Sequence, residues 1–318
     1  MKTFLRAMAL GFATVVVVAL VFALIPSFSK PVGVVLYCAQ DQEFAEPLLR
    51  NFGAKSGIGV RPVWDSEAVK TVGLANRLLG EMGSPRAEVW WSNEEFRTRQ
   101  LAARGVFGTN RLGATGLPFL AFGSRHRCLV YDPGHLPAGG LPASLVELTN
   151  ARFAGRVSIA FPLFGTTSTH LLALREAWGT ETWLVWCRAL AANRPFLEEG
   201  NSHVVQRVAR GEALLGLTDS DDLASAVRGG AHLAEIPLGR EGLAIPNTVA
   251  LVRPAAPGSE ARRLADHLAS DATVARLAAD GALDPVGTAA AGSMTPDWKR
   301  MLASLDVATA ELEGIFRR

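Results

Sequence analysis

Apolar runs and amphipathic segments alternate along this chain, and this alternation restricts the fold more than any other feature. Runs at 33–38, 58–64 and 87–92 have the length of buried strands, and the segments 42–55 and 66–81 between them carry apolar residues at helical spacing. Short apolar runs indicate strands, whereas a 3.6-residue period indicates helices. The order strand, helix, strand, helix, strand predicts an α/β domain with a mostly parallel sheet.

The same alternation resumes after residue 120 and predicts a second α/β unit. Strands are expected at 127–131, 156–160, 213–218 and 244–253, and helices at 166–178, 180–193, 202–210, 258–269, 272–279 and 296–316. The last helical stretch is expected to pack across the first unit. A chain of 318 residues is long enough for two such units. Ligands of open α/β sheets bind beyond the carboxyl ends of the strands, so a cleft between the units is the expected binding site.

Residues 1–30 differ from the rest of the chain. Lys2 and Arg6 precede an uncharged run from Ala7 to Ser29, which Lys30 closes. This run is longer than the ~7–15 residues of a signal-peptide core and reaches the ~20 residues that cross a bilayer. It predicts either a cleaved export signal or an N-terminal anchor. In both cases the rest of the chain is expected in the periplasm, on the outer face of the inner membrane.

The charge balance excludes one class of partner. The chain has 32 lysine and arginine residues and 30 aspartate and glutamate residues, and three of the basic ones lie in the first 30 positions. The exported part is therefore nearly neutral. Nucleic-acid binding needs a basic surface, so no nucleic-acid partner is expected.

Sequence signatures of enzymes are weak. The six histidines show no metal-binding spacing, and no GxSxG, Walker or GxGxxG motif follows a predicted strand. A binding protein is therefore favoured over an enzyme, and no tightly bound cofactor is expected. Cys38, Cys128 and Cys187 lie in apolar surroundings without CxxC spacing. This predicts buried apolar side chains with at most one disulfide.

Acidic and amide side chains directly follow four of the predicted strands. They are Asp41, Asp65 with Ser66, Asn93 with Glu94, and Asp219 with Asp221 and Asp222. Helix capping is the alternative interpretation for Asp65, Ser66 and Asn93, because such residues accept hydrogen bonds from free N–H groups at a helix start. Three carboxylates within positions 219–222 exceed what one helix start uses, and they repel one another. The sequence predicts a metal ion or an ammonium group beside them.

A second polar segment is suited to bind an anion rather than a cation. Residues 165–169, a glycine followed by four hydroxyl residues, open a predicted helix. Backbone N–H and hydroxyl groups at a helix start form a natural anion site, although hydroxyl residues also serve as ordinary caps. Asn201, before the next predicted helix, either faces the same cleft or caps. Arg125 and Arg127 either add anion contacts or are ordinary surface charges.

Five segments occur in a characteristic order: VVLYCAQDQEFAEPLLRNFGAKSGIGV, AEVWWSNEEFRTRQLAARGVF, LPASLVELTNARFAGRVSIAFPLFGTTSTHLLAL, GNSHVVQRVARGEALLGLTDSDD and IPNTVALVR. This order resembles the family 1 extracellular solute-binding proteins of ABC importers, nearest their ferric-iron-binding branch, over about residues 32–290. The resemblance implies an α/β, two-lobed periplasmic-binding-protein type II fold with a hinge and an interlobe cleft. Lobe 1 would comprise residues 31–122 and 248–318, and lobe 2 residues 123–247.

The resemblance also implies a ligand site. In the ferric-binding branch, iron is held by a side chain of the first loop, a carboxylate after the third strand and two adjacent tyrosines. The matching positions here are Asp41, Asn93 or Glu94, and the pair Asp221 and Asp222. The tyrosine pair is thus replaced by carboxylates, which are still hard ligands for iron(III) or another hard cation. Asp41, Glu94, Asp221 and Asp222 are the expected metal ligands.

The same resemblance places an anion or a ligand phosphate at the helix start of the second unit. The matching residues are Thr166, Thr167 and Ser168, with help from Asn201. Asp219 is expected among the residues that bind the cation. The site would therefore hold either a ligand with a positive and a negative end, or a cation with a counter-anion.

The first hypothesis is a substrate-binding protein that captures iron(III) or an iron chelate and delivers it to the permease subunits of an ABC importer in the inner membrane. Iron(III) or another hard metal ion would be the transported ligand. One alternative keeps the binding role but changes the solute to a phosphonate, a sugar phosphate or a polyamine. Two others change the class, to a metal-dependent periplasmic hydrolase or a membrane-anchored sensory domain.

Overall fold

The computed structural model describes most of the chain after the N-terminal segment, namely residues 33–64, 70–108, 112, 116–285 and 292–317. The predicted signal or anchor at 1–30 lies outside these ranges, as do Asp65 and Ser66. Of the helices within them, none combines the length and the hydropathy that crossing a membrane requires.

Nine strands of the described chain pair into one sheet. They are β1 (Val34–Cys38), β2 (Val60–Val63), β3 (Val89–Ser92), β4 (Leu120–Tyr131), β5 (Val157–Ala160), β6 (Phe196–Glu198), β7 (Leu215–Asp219), β8 (Ala234–Ile236) and β9 (Ala244–Leu251). Their order is β2-β1-β3-β9-β4-β7-β5-β6, and β8 pairs with β4 outside this path. β1 pairs in parallel with β2 and β3, and β5 with β6 and β7. The predicted α/β class is confirmed.

Helices connect these strands close to the predicted positions. They are α1 (Gln42–Ser56), α2 (Lys70–Gly80), α3 (Glu95–Ala103), α4 (Gly165–Trp178), α5 (Thr180–Ala192), α6 (Asn201–Ala209), α7 (Ser220–Arg228), α8 (Glu260–Leu268), α9 (Asp271–Ala279) and α10 (Trp298–Phe316). Helix α1 illustrates why apolar residues at helical spacing predict a helix. Phe44, Leu48 and Phe52 recur at this spacing and are buried on one face. The helix ends at Gly57, whose φ of 72° suits a residue without a side chain.

The apolar run of β3 is explained by its central position in the sheet. Trp90 and Trp91 are both fully buried. Trp91 packs into the core beneath α1, and Trp90 packs into the core that Leu74 and Leu78 of α2 share. A strand covered on both faces reads as continuously apolar. Within the strand only its last residue, Ser92, is polar, and the other polar side chains lie in the turn that follows it.

The C-terminal helix α10 packs differently from the sequence-based expectation. Its buried residues Met301, Leu305 and Leu312 share a core with Leu171 of α4 and Trp183 of α5, and the helix also contacts α3. The expectation placed it across the first unit, whereas most of its buried face meets helices of the second. Helical periodicity determines which face of a helix is apolar, but not which surface that face meets.

β4 and β9 lie side by side where the two halves of the sheet join. Their pairing shifts register between Phe122 and Arg125. Such an irregularity bends a strand and redirects its side chains, and Arg125 is buried directly after it. The predicted division into residues 31–122 with 248–318 and residues 123–247 stays a prediction. Both of its boundaries fall at these two strands.

Candidate functional site

A cavity of about 370 Å³ opens beside the ends of β1 and β7. It is lined by Asp41, Gln42, Glu43 and Phe44 at the start of α1, by Ser202, Val205 and Gln206 of α6, and by Asp221, Asp222, Ser225 and Ala226 of α7. Four of these residues are acidic, and no lysine, arginine or histidine is among them. We call this space the acidic cavity. Two of the strand ends that were predicted to bind a ligand meet here.

Two strand-to-helix turns bring the carboxylates to the cavity. Asp41 precedes α1 with an extended backbone, and its carboxylate makes no capping hydrogen bond. Asp219 precedes α7 and likewise makes no capping hydrogen bond, while Asp221 and Asp222 lie in the first turn of that helix. Helix capping by the side chain therefore does not account for Asp41 or Asp219.

The Asp219 carboxylate lies at the centre of a buried polar network. Its Oδ1 accepts from Arg127 Nη1 at 2.7 Å. Its Oδ2 accepts from Arg125 Nη2 at 3.1 Å, from the Thr166 hydroxyl at 2.7 Å and from Asn201 Nδ2 at 3.0 Å. Burial alone raises the pKa of this carboxyl, but the guanidinium groups of Arg127 and Arg125 outweigh burial and lower it. Asp219 therefore remains an anion.

The residues predicted to form an anion cradle lie close together, but two of them donate to the protein's own carboxylate. Thr166 and Asn201 both donate to Asp219. Thr167 and Ser168 are buried in the same first turn of α4. None of these four predicted anion-binding residues lines the acidic cavity. The structure thus separates the anion cradle from the cavity.

Asp221 and Asp222 are the most strongly perturbed acids of the cavity. Oxygen atoms of Asp219, Asp221 and Asp222 lie within 4.8 Å of one another. Burial raises the pKa of Asp221 to about 7, opposed by Arg125, which lies 3.2 Å away, and reinforced by Asp219 and Asp41. Burial and then the charges of Asp221 and Asp219 raise the pKa of Asp222 well above its usual range. A bound cation would relieve this repulsion.

The turn after β3 contributes less than predicted. Glu94 is buried and accepts hydrogen bonds from the backbone N–H groups of Phe96 at 2.7 Å and Arg97 at 3.0 Å, so it caps α3. Glu94 does not line the acidic cavity, although it was an expected metal ligand. Asn93 lies nearer, because its amide contacts Asp41 Oδ2 at 3.5 Å and its backbone carbonyl accepts from Arg125.

The two tyrosines of the chain lie away from these carboxylates. Tyr37 donates to Glu81 at 2.9 Å, and burial together with this hydrogen bond raises its pKa to about 12. Tyr131 is the last residue of β4. Neither lines the acidic cavity, so the oxygen ligands that the cavity offers are carboxylates, hydroxyls and amides.

The family model of bacterial extracellular solute-binding proteins matches residues 34–282, which is most of the chain. The chain belongs to this family. The predicted resemblance to extracellular solute-binding proteins is therefore confirmed. Among curated protein sequences, none matches this solute-binding protein significantly.

Solved structures resemble this solute-binding protein over almost its whole described length. Iron-bound HitA from Pseudomonas aeruginosa is 20% identical, with a TM-score of 0.75 over 90% of this chain and 99% of that one. AfuA from Actinobacillus pleuropneumoniae, with exogenous fructose-6-phosphate bound, is 15% identical, with a TM-score of 0.76 over 90% and 98%. Trichodesmium IdiA (FutA), with iron and citrate, is 16% identical, with a TM-score of 0.68 over 89% and 99%. These similarities establish the fold, that of periplasmic binding proteins.

Sequence reasoning missed the role of the two arginines of β4 in the solute-binding protein. Arg125 and Arg127 are only 2% and 1% exposed, so they are not ordinary surface charges. Their spacing of two in a strand puts both on one face, and arginines in an apolar strand are buried only when paired. That spacing was the available signal. Their partners lie 92 and 94 positions away in the sequence, which no local pattern reveals.

His126 connects the turn between β7 and α7 to neighbouring parts of the sheet. Its Nδ1 lies 2.8 Å from Asp284 Oδ2 and its Nε2 lies 2.9 Å from Glu235 Oε1. The Ser220 hydroxyl, at the start of α7, donates to Asp284 at 2.8 Å and accepts from the His126 backbone N–H at 3.1 Å. Hydrogen bonds to Asp284 and Glu235 raise the pKa of His126 to about 10. The imidazolium therefore holds the start of α7 in place.

Replacing His126 by glutamine is expected to destabilise the solute-binding protein by roughly 2 kcal/mol in mildly acidic solution, the range for hydrogen bonds to charged groups. Because folding raises the pKa from 6.5 to about 10, this stabilisation is complete below the lower value. It declines as the pH rises between the two and is lost above the higher. Urea unfolding of wild type and variant across this range measures it.

The matched control for this measurement is His135→Gln. His135 contacts Asp132 on the surface at 2.9 Å, and an exposed pair of this kind contributes ~0–1 kcal/mol. A difference between wild type and His126→Gln that stays constant across the pH range would contradict a charged His126.

Proposed function

We propose that this solute-binding protein captures a cationic solute, iron(III) or an iron chelate, and delivers it to the permease of an ABC importer. The observation that carries this proposal is the lining of the acidic cavity. Asp41 and Glu43 at the start of α1 face Asp221 and Asp222 of α7 across it, without a basic residue in the lining.

The local charge favours a cation. Arg125 is paired with Asp219 and Asp221, and Arg127 is paired with Asp219. Burial and its acidic neighbours raise the pKa of Asp222, and once a bound cation restores its negative charge, Asp41 and Asp222 together exceed what these two guanidiniums offset. Oxygen atoms of Asp219, Asp221 and Asp222 lie within 4.8 Å of one another, and two negative charges at that upper distance repel each other by about 3 kcal/mol at an effective dielectric constant of ~20. A cation between them converts this repulsion into attraction.

The chemistry of the donors favours a hard metal ion. Carboxylate, hydroxyl and amide oxygens are ligands for hard cations rather than for soft ones. Two of the similar structures, HitA and the Trichodesmium protein, contain iron. An iron chelate fits this proposal when the chelator leaves coordination positions open for Asp221 and Asp222.

An organic cation is the second candidate. A polyamine would place ammonium groups against the same carboxylates. A sugar phosphate or a phosphonate fits less well, because its phosphorus group would meet acidic residues without a basic partner in the cavity lining. Because AfuA was solved with fructose-6-phosphate bound, sugar phosphates are included among the ligands to be tested.

Binding without catalysis and export to the periplasm belong to the same proposal. Both agree with a family of extracellular solute-binding proteins. The division into two lobes supports it as well, since closure of two lobes around a ligand is a common device of such proteins.

Thermal unfolding of the full-length chain, purified in detergent, tests the proposed function. The ligands are Fe(III)-nitrilotriacetate, Fe(III)-citrate, Mn(II), Ca(II), spermidine, fructose 6-phosphate and aminoethylphosphonate. A ligand at ~100 times its dissociation constant stabilises the folded state by about 2.7 kcal/mol, and we expect this shift with Fe(III). A shift with spermidine alone would transfer the assignment to a polyamine. A shift with a phosphorylated or phosphonate solute alone would overturn the cationic assignment.

A further inference from the structure

We propose that Asp219 is a built-in anion of this site: its carboxylate fills an oxyanion-binding position, so the protein binds its cation without an accompanying anion from solution. The second half of this statement rests on the proposed function. The first half does not, because it concerns only the hydrogen bonds that the Asp219 carboxylate accepts. Its donors are Arg125, Arg127, Thr166 and Asn201.

The donors around Asp219 are those of an oxyanion site. Arg127 Nη1 lies 2.7 Å from one carboxylate oxygen. The other oxygen receives the Thr166 hydroxyl at 2.7 Å, Asn201 Nδ2 at 3.0 Å and Arg125 Nη2 at 3.1 Å. Charge-assisted bonds of this length are the strong ones in proteins. Formate or acetate in the same place would meet the same donors.

These donors converge from separate elements. Arg125 and Arg127 come from β4, Thr166 from the first turn of α4 and Asn201 from the first residue of α6. Two of the donors therefore stand at the starts of helices, where the positive end of the helix favours an anion nearby. Asp219 reaches it through strand register, because Arg127 and Asp219 face each other in the antiparallel pair β4/β7.

The position is closed to solvent. Asp219 and Arg127 are each only 1% exposed, and Arg127 also donates to the backbone carbonyl of Leu217 at 3.3 Å. An anion from solution therefore cannot add to the cradle while the carboxylate is there. This pairing also affects which ligands the acidic cavity can bind. Because both guanidiniums are already paired and the described lining of the cavity holds no basic side chain, the cavity favours cations over phosphate.

Removing the carboxylate should create a site for small anions. In Asp219→Ala the donors lose their partner, and the space of a carboxyl group is left behind. We expect the melting temperature of this variant to lie below that of wild type in chloride. It should rise by several degrees, and saturate, with formate or acetate at equal ionic strength, whereas the wild-type value does not change. The matched control is Asp222→Ala, which removes a carboxylate from the neighbouring turn and should show no such rise.

The outcomes separate the two proposals. No cation is present in the formate experiment, so an Asp219→Ala variant that formate and acetate fail to stabilise overturns the built-in anion alone. If the variant is unfolded in chloride, the yield of refolding from urea is compared instead, and formate must raise it above chloride. In wild type, the apparent affinity for Fe(III) should be equal with and without added phosphate or carbonate. A tenfold gain with either anion would overturn the second half of the proposal, and absence of any cation binding would count against the proposed function only.

Discussion

Replacing both Asp221 and Asp222 by asparagine is expected to abolish the stabilisation by Fe(III) and, at the same time, to raise the stability of the ligand-free protein. Both carboxylates line the acidic cavity, and affinity for a hard cation depends on the number of charged ligands. Loss of both should weaken binding by on the order of 100-fold or more. The same change removes two acids whose pKa values the fold raises.

The gain in ligand-free stability should depend on pH. Folding raises the pKa of Asp221 from 3.8 to about 7, so ionisation of this group opposes folding. The penalty is absent below the lower value, grows as the pH rises between the two, and is complete above the higher. We expect the double variant to exceed wild type by roughly 2 kcal/mol in mildly alkaline solution, less the loss of the contact between Asp221 and Arg125. Near pH ~4 the two should be equal.

Urea unfolding in the absence of metal and titration with Fe(III)-nitrilotriacetate measure the two effects. The matched control is Asp271→Asn, which removes an acidic residue from the first turn of another helix, α9, outside the cavity. It should lose a few tenths of a kcal/mol at most and keep full binding. A double variant that loses stability in alkaline solution, or that still binds Fe(III) as wild type does, would show that these carboxylates do not form a cation site.

Substitution of Arg127 by methionine should have the largest effect on stability. Removing one partner of a buried ion pair typically costs about 3–5 kcal/mol, because the remaining charge is left without compensation. Arg127 also donates to the Thr166 and Thr167 hydroxyls and to Asn201 Oδ1 at 3.2–3.3 Å. In the variant these groups lose a donor, and Asp219 keeps one guanidinium partner, that of Arg125.

A second substitution distinguishes the charge from the packing. In Arg127→Met with Asp219→Asn, the carboxylate that lost one of its two guanidinium partners is gone, so the double variant should be less destabilised than the sum of the two single ones. The difference expected for residues in direct contact is about 1–3 kcal/mol. Arg50→Met serves as the control, since Arg50 contacts Glu46 at 2.9 Å and both side chains are exposed. Strict additivity would mean that Arg127 contributes through its packing and not through its charge.

Most of the fold could be predicted because most strands and helices have a recognisable local sequence pattern. β1, β3 and β7 are short apolar runs that are buried on the sheet, and α1 and α8 have one apolar face. The strands β6 and β8 are three residues long, which is too short for a periodic signal. The start of α7 was expected directly after the strand 213–218, but no bounds were predicted for this helix.

The site could be predicted only in part. The strand-end position of Asp41, Asp221 and Asp222 follows from the general geometry of α/β sheets, and the structure places all three around one cavity. Glu94 has the same position after a strand, but its carboxylate turns to the free N–H groups of α3. Sequence position determines where such a side chain starts, whereas the nearest unpaired donors determine where it points.

The anion cradle shows the same limit. Its donors, Thr166 and Asn201, were recognised from their helix starts. Their acceptor, Asp219, was assigned to the cation side because it stands beside Asp221 and Asp222 in the sequence. Asp219 is the last residue of β7 and faces Arg127 across the sheet, whereas Asp221 and Asp222 already lie in the first turn of α7. The change from strand to helix after Asp219 therefore sends these carboxylates to different places.

The three cysteines are buried and form no disulfide with one another, and each belongs to a different part of the interior. Cys38 lies in the core beneath α1, Cys128 in the small core beside α6, and Cys187 in the core that α10 covers. Burial raises the pKa values of Cys128 and Cys187, so these thiols are unreactive until their surroundings open. The chain therefore carries three internal reporters, and the order in which a thiol reagent modifies them would reveal which layer of the molecule comes apart first.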